Sequence, residues 1–233
     1  MRNRMKAPLR ALIVDHNGTM VDDSKLTYEV LQEICRICGV GVPAFDHWRR
    51  YESVIGYLRY YHDYAQLPKT IPVASYHMIR ELYYGARIRS QAPFRPDLVP
   101  FLRSCQEWGV QLAVCSGELR VLLDECLSRD ALRAEFEIIE GDVTDKRAML
   151  ISICERLRVP VEQAAYVDDT ISGIAAADAA GLIPIAFAHH TSYSKPEQLR
   201  KEGQYEHIVS TFTELGILVE GLVKFKRPVC GPA

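Results

Sequence analysis

Short apolar runs alternate with helical segments through the second half of this chain, and that alternation constrains the fold more than any other feature. After Pro96 the spacing predicts helices over Asp97–Trp108, Leu119–Leu127, Lys146–Leu157 and Ile174–Ala180. Between them it predicts strands over Val110–Cys115, Phe136–Ile139, Ala164–Val167 and Ile183–Phe187. Continuous apolar runs of this length suit strands buried on both faces. Strands separated by helices imply right-handed βαβ crossovers and a parallel sheet covered on each side. An earlier run, Leu9–Val14, reads as a further buried strand. A helix over Ser24–Cys38 follows it and stops at Gly39.

Between about Val42 and Ala92 the texture changes. Helical patterns dominate there, strand signals are absent, and eight of the twelve tyrosines fall between Tyr51 and Tyr84. The expected architecture is an α/β, Rossmann-like parallel sheet core with helices on both faces. A small α-helical cap interrupts it after the first strand. Residues 1–24 and 90–233 would form the core and residues 25–89 the cap.

Composition removes several classes. The chain has 233 residues, 48% hydrophobic and 25% charged, which is ordinary for a globular protein. Its 28 Lys and Arg against 30 Asp and Glu give a net charge of −2. There is no global basic field, so nucleic acid is not the expected partner. No run approaches the roughly 18 apolar residues of a membrane helix, and the apolar run after the basic start is too short for a signal peptide. A cytoplasmic monomer or homodimer, away from membranes, is the expectation. The seven cysteines are an odd number. Cys35 and Cys38 form a C-x-x-C, but no second pair follows, and they share a helix face with Val30, Leu31 and Ile34. Core packing is the reading for them. The C-terminal KFKRPVCGPA is expected to fray.

In an open parallel sheet, ligands gather at the carboxyl ends of the strands. Those ends carry Asp15-His16-Asn17-Gly18-Thr19 after the first strand and Ser116-Gly117 after the second. Lys146 opens the helix after the third, and Asp168-Asp169-Thr170 follow the fourth. Clustered carboxylates repel one another unless a cation or proton neutralises them. Mg²⁺ takes one or two carboxylates, waters and a substrate phosphate oxygen. Lysine and hydroxyl groups can hold the remaining phosphate oxygens. Gly117, placed at the start of the next helix, would let backbone N–H groups approach an anion. The ordered series therefore points to a small phosphorylated metabolite handled with a divalent cation.

These residues resemble the haloacid dehalogenase superfamily of aspartate-nucleophile hydrolases, in its phosphoglycolate-phosphatase-like branch with a helical C1-type cap. The resemblance rests on D-H-N-G-T-M-V-D-D at residues 15–23, A-V-C-S-G at 113–117, T-D-K-R-A-M-L at 144–150 and Y-V-D-D-T-I-S-G-I-A-A-A-D-A-A-G at 166–181. It implies a Mg²⁺-dependent phosphatase in which Asp15 is the nucleophile, forms an aspartyl-phosphate and ligates Mg²⁺. It implies further that the carbonyl of Asn17, with Asp168 and Asp169, completes the protein's share of the metal ligands. Ser116 and Lys146 would hold the transferring phosphoryl group, Gly117 would lie beside it, and Thr19 would support the loop.

Asn17 departs from the family pattern. Phosphatases of this family usually carry Asp two residues after the nucleophile, where it exchanges a proton with the leaving oxygen and then with water. An amide cannot do this, and such catalysis is worth about 10²–10⁴-fold. Turnover would be slow, or the leaving group good, or another group would supply the proton. His16 is adjacent but is expected to point away by strand alternation; Glu118 and a cap residue are further candidates. A catalytically weak phosphate-binding or regulatory protein is the alternative. Phosphonate or haloacid hydrolysis is another, the phosphonate route needing a lysine such as Lys25 or Lys69. Gly173 is a second departure, standing where many relatives have an acidic residue. In the insertion Trp48, Arg49, Arg50, Tyr51, Tyr57, Tyr60 and Tyr61 offer either a recognition surface or ordinary packing. His189-His190 reads as a solvated loop.

Overall fold

The computed structural model of the protein describes residues 7–49, 68, 72, 75, 78, 82, 85, 92–192, 194–203 and 205–225. Arg50, Tyr51, Tyr57, Tyr60, Tyr61, Lys69 and the tail after residue 225 lie outside these.

Six strands form one parallel sheet: β1 (Ala11–Val14), β2 (Gln111–Cys115), β3 (Ile138–Glu140), β4 (Ala164–Asp168), β5 (Ile183–Phe187) and β6 (Ile208–Val209). Their order is β3-β2-β1-β4-β5-β6. Register is set by Ile13 opposite Ala113 on one side and Tyr166 on the other. The order reverses at β1, so the crevice of this sheet opens where β1 and β4 end.

Both faces of the sheet are buried, as the continuous apolar runs require. Leu12 and Val14 point into one cluster, with residues of α1 (Ser24–Cys38), α2 (Leu98–Glu107), α3 (Arg120–Arg129) and the C-terminal helix α7 (Phe212–Val223). Ala11 and Ile13 point the other way, against α4 (Lys146–Leu157) and α5 (Ile171–Ala180). A further helix, α6 (Pro196–Gly203), precedes β6.

Several boundaries differ from the sequence reading. α5 begins at Ile171 rather than Ile174, because Thr170 caps it by accepting from Gly173 N. A 3₁₀ turn over Arg133–Glu135 delays β3 to Ile138. β6, α6 and α7 were not anticipated. Cys35 is buried in the main cluster with Cys38 packed against it, and burial pushes the Cys35 thiol up to about 11.

The chain leaves the sheet and returns at one place. Val21 bridges Phe94 in antiparallel fashion, Asp22 N donates to Pro93 O at 3.2 Å, and Arg95 N to Met20 O at 3.0 Å. The chain therefore departs after residue 22 and rejoins the core at residue 93 through this paired neck. The described part of the intervening segment includes α1 and a helical stretch at 45–49. Trp48 and Arg49 of that stretch are buried, Trp48 against Tyr28 and Phe45. No helix among the described residues is long and apolar enough to cross a membrane.

Candidate active site

Asp15 follows Val14 at the end of β1, and its N–H extends the ladder to Val167 O at 2.9 Å. Asp168 ends the neighbouring β4, and Asp169 comes next. Parallel pairing of β1 with β4 thus sets three buried carboxylates side by side. One oxygen from each lies within 4.8 Å of the others. Lys146, the first residue of α4, reaches across to Asp15 Oδ1 at 3.0 Å and Asp168 Oδ2 at 2.6 Å. Tyr166 rises from β4 beneath them. Its hydroxyl is 2.7 Å from Asp168 Oδ2, 3.0 Å from Cys115 O and 3.5 Å from Asp15 Oδ1.

One ammonium among three buried carboxylates leaves a surplus of negative charge. Burial, opposed by Lys146 and reinforced by Asp168, pushes the Asp15 carboxyl up to about 7. Burial pulls the Lys146 ammonium down, but Asp15 and Asp168 outweigh it and the net shift is upward. Tyr166 is held far above an ordinary phenol, by burial first and then by Asp168 and Asp15. Carboxylate oxygens with no sulfur or imidazole among them suit a hard divalent cation, and such an ion would offset the surplus.

Two glycines leave room for these carboxylates. A Cβ on Gly173 would lie 1.9 Å from Asp168 Oδ2. That oxygen cannot swing aside, because Asp168 is held by Lys146, Tyr166, Thr170 N at 2.7 Å and Thr170 Oγ1 at 2.6 Å. Any larger residue at 173 would collide with Asp168, which explains the absence of a further acid there. Gly173→Ala is expected to cost about 1–3 kcal/mol from overpacking, read as a lowered urea midpoint at unchanged slope. Gly18 has φ of 72°, and a Cβ there would meet Asp169 Oδ2 at 2.2 Å. The turn after Asp15 therefore requires glycine on both counts.

Asn17 sits in that turn with both ends of its amide engaged. Its Nδ2 donates to Glu118 Oε2 at 2.8 Å, and its Oδ1 is 2.6 Å from His16 Nδ1. The expectation that His16 points away is corrected. Strand alternation ends at Val14, and residues 15–19 curl into a turn that folds the imidazole back onto Asn17. His16 is buried, with an edge-to-face contact to Phe94. Burial lowers its pKa.

Ser116 follows β2 and is buried, and its Oγ accepts from Glu118 N at 3.3 Å. Gly117 is corrected from the start of a helix to the loop before it, since α3 begins at Arg120. Thr19 is buried. Its backbone carbonyl accepts from Arg95 Nε at 2.7 Å, while its Oγ1 has no hydrogen-bond partner among the described residues. Lys25 is exposed on α1. His189 is not free in solvent: its Nδ1 lies 2.8 Å from Arg95 Nη1.

Comparison with known proteins agrees with this geometry. Residues 9–181 match the family model of the haloacid dehalogenase-like hydrolases. The chain belongs to that family. Curated relatives include YhcW of Bacillus subtilis (strain 168), a protein named among the phosphatases, 22% identical over 179 residues covering 75% of this chain and 81% of the relative. Protein CbbY of Cereibacter sphaeroides is 22% identical over 229 residues, 89% of this chain and 94% of its own. Among solved structures, the haloacid dehalogenase-like family protein SP0104 from Streptococcus pneumoniae superposes with a TM-score of 0.77 at 18% identity, covering 90% of this chain and 98% of its own. CbbY from Rhodobacter sphaeroides in complex with phosphate does so at 0.73 and 20%, covering 89% and 96%. The chain is thus a haloacid dehalogenase-like hydrolase. The residues around Asp15 that sequence reasoning passed over are Tyr166, Asp23 and Arg95. Tyr166 stood inside a quoted motif as an apparently apolar strand residue. Arg95 carried no signal beyond lying next to a proline.

Proposed function

We propose that the protein is a Mg²⁺-dependent phosphatase that hydrolyses a small phosphorylated metabolite through an aspartyl-phosphate on Asp15, with residues 25–89 serving as the cap of a core made of 1–24 and 90–233. The observation that carries this reading is the convergence of Asp15, Asp168 and Asp169 within 4.8 Å, bridged by Lys146. The relatives support the substrate class: CbbY has been crystallised with phosphate and, as a variant, with xylulose-(1,5)bisphosphate.

Asp15, Asp168, Asp169 and the carbonyl of Asn17 would hold the ion, which when bound screens the approach of an anionic nucleophile to an anionic phosphate. Lys146 and Ser116, with Gly117 and Thr19 beside them, hold the phosphoryl oxygens. An Asp15 oxygen forms a bond to phosphorus as the bond to the leaving oxygen breaks. The leaving oxygen takes a proton from a protein group. Water then returns a proton to that group as its oxygen bonds to phosphorus, the bond to Asp15 breaks and phosphate departs. Asn17 has no proton to exchange near neutral pH. Glu118 brings a carboxyl group to the same place, its Oε2 one hydrogen bond from the Asn17 amide. In this reading Glu118 carries the proton.

The engagement of both Asn17 amide ends also favours a second reading, a phosphate-binding protein of weak activity. An assay of phosphate release over a panel of sugar and small-alcohol monophosphates, with Mg²⁺ and with EDTA, decides between them. Robust Mg²⁺-dependent turnover ends the second reading; none on any ester ends the first. Release of halide or an aldehyde would instead point to haloacid or phosphonate substrates.

Removal of the metal has its own readout. A ligand at 100 times its Kd stabilises the folded state by about 2.7 kcal/mol. Saturating Mg²⁺ is therefore expected to raise the melting temperature several degrees over EDTA, and Asp169→Asn to abolish most of that rise. Identical melting curves with Mg²⁺ and EDTA would count against the metal assignment.

A further inference from the structure

The turn after Asp15 is held by more than its own residues, and the grip is concentrated on Gly18. Gly18 N donates to Asp23 Oδ1 at 2.7 Å. Gly18 O accepts from Arg95 Nη2 at 2.7 Å and from Ser192 Oγ at 3.1 Å. The next carbonyl, Thr19 O, takes Arg95 Nε at 2.7 Å. Asp23, Arg95 and Ser192 are all buried. They come from three separate segments: the exit to the insertion, the return from it, and the loop after β5.

Arg95 is unusual among these. A buried guanidinium ordinarily faces a carboxylate, yet the acid paired with it, Asp22, is 3.9 Å away and partly exposed. Arg95 instead spends its fork on two successive backbone carbonyls and on the loop after β5, where Nη1 meets His189 Nδ1 at 2.8 Å and Thr191 Oγ1 at 3.3 Å. The Phe187 ring lies 5.2 Å below it. The loop it grips is also gripped by the insertion, since Arg49 Nη1 donates to His190 O at 2.8 Å. Ser194 N of the same loop donates to Asp169 O at 3.2 Å. Two buried arginines thus bracket residues 189–191, one from each side of the neck. Gly18 has no slack in this arrangement, because even a Cβ there would lie 2.2 Å from Asp169 Oδ2.

We propose that Arg95 is a positioning residue for the reaction. It fixes the turn that carries Asp15 beside Asp169, and it makes that fixed shape depend on the loop after β5 and on the insertion seated against that loop. Arg95 does not reach the reacting atoms; it acts through Gly18 and Thr19. The kinetic part of this inference rests on the phosphatase reading. The structural part does not.

The test therefore has two arms. Amide hydrogen exchange on the metal-free protein reads the turn directly. In Arg95→Lys, the amides of Gly18, Met20 and Val21 are expected to exchange about tenfold faster or more, while those of Leu12 and Ile13 in β1 keep their rate. A single ammonium cannot span two carbonyls and His189 as a planar fork does. Ser192→Ala should move the same amides by a smaller factor. Unchanged exchange in the turn, or equal acceleration in β1, overturns the proposal. The kinetic arm uses p-nitrophenyl phosphate with Mg²⁺. Arg95→Lys is expected to lose about 10²-fold in kcat, the scale set by small misplacements of a reacting group, with KM within about threefold. Guanidinium chloride at millimolar concentration should restore part of kcat to Arg95→Ala and none to the wild type. A variant with a loosened turn and full kcat would also overturn the proposal. If the wild type turns over no ester, the phosphatase reading fails and the exchange arm alone still decides the role of Arg95.

Discussion

Asp15→Asn is expected to abolish turnover, by about 10⁴-fold or more, and to leave the metal-free protein at least as stable as the wild type at pH 8. The two halves of this result have opposite signs because one group is responsible for both. The carboxylate is the proposed nucleophile, and an amide of the same shape cannot attack phosphorus. The carboxylate is also buried, beside a second one, and its folded-state pKa is raised to about 7 from 3.8. A carboxyl raised on folding binds more protons in the folded chain than in the unfolded one between those values. Its contribution to stability is full below 3.8 and drains away as pH climbs to 7. At pH 8 the wild type therefore carries a charge it would fold more easily without, and the Asp15→Asn protein carries none at that position. The 2.6 Å contact of Lys146 with Asp168 does not involve the substituted side chain. Melting in EDTA at pH 5 and pH 8, set beside the phosphate-release assay, checks both halves. Lost activity with an equal or higher melting temperature at pH 8 fits. A variant that melts well below the wild type at pH 8 would show instead that Asp15 holds the site together, and retained turnover would remove it as nucleophile.

That conflict between stability and chemistry is typical of a working site, and it explains which parts of this protein were legible from sequence. The sheet was legible because its strands obey the general rule for buried parallel strands. Leu9–Val14 and Ile183–Phe187 could not face water on either side, and the strands stand close to where the runs place them. The carboxylates were legible because strand ends in a parallel sheet converge, so Asp15 and Asp168-Asp169 had to meet once β1 and β4 paired. What was not legible is what turns do. The orientation of His16 failed because a period-two argument was carried two residues past the last paired residue, Val14. Tyr166 was hidden by counting tyrosine as an apolar strand residue, although its hydroxyl ends among three acceptors. Arg95 was invisible because it binds backbone carbonyls, which every residue has and no sequence pattern marks. The missed C-terminal helix is a different case. Thr211 and Glu214 have the T-x-x-E spacing of a capping box, and in the structure Thr211 does accept from Glu214 N at 3.0 Å. That signal was present and passed over beside the expectation of a frayed end.

Glu118→Gln is expected to lower turnover by about 10²–10⁴-fold, the usual worth of a general acid–base. Adding Asn17→Asp in that background is expected to recover much of the loss. Each step follows from one local geometry. Glu118 is buried, its Oε1 accepts from Leu119 N at 2.9 Å and its Oε2 from Asn17 Nδ2 at 2.8 Å. Glutamine keeps the size but supplies no exchangeable proton, and one of its ends must present an N–H to a donor. Asp at 17 returns a carboxyl to the position where the family resemblance implies a proton carrier. In the wild-type background the same Asn17→Asp change would set two carboxyl groups about a hydrogen bond apart. The gain there should be small if Glu118 is the proton carrier, because the pair has one proton-carrying job. The order of effects across the four proteins therefore separates the alternatives. If Glu118 merely props Asn17, Glu118→Gln should change KM and kcat together and Asn17→Asp should not rescue it. If proton exchange is simply missing, Asn17→Asp alone should raise kcat by about 10²-fold or more and Glu118→Gln should leave it unchanged. The single-turnover rate of phosphate release, measured for all four with p-nitrophenyl phosphate and with an alkyl phosphate, adds a second discriminator. p-Nitrophenolate leaves without help, so a proton carrier matters less for its departure than for that of an alkoxide. A larger loss on the alkyl ester places Glu118 at the leaving oxygen, and an equal loss on both places it with the attacking water.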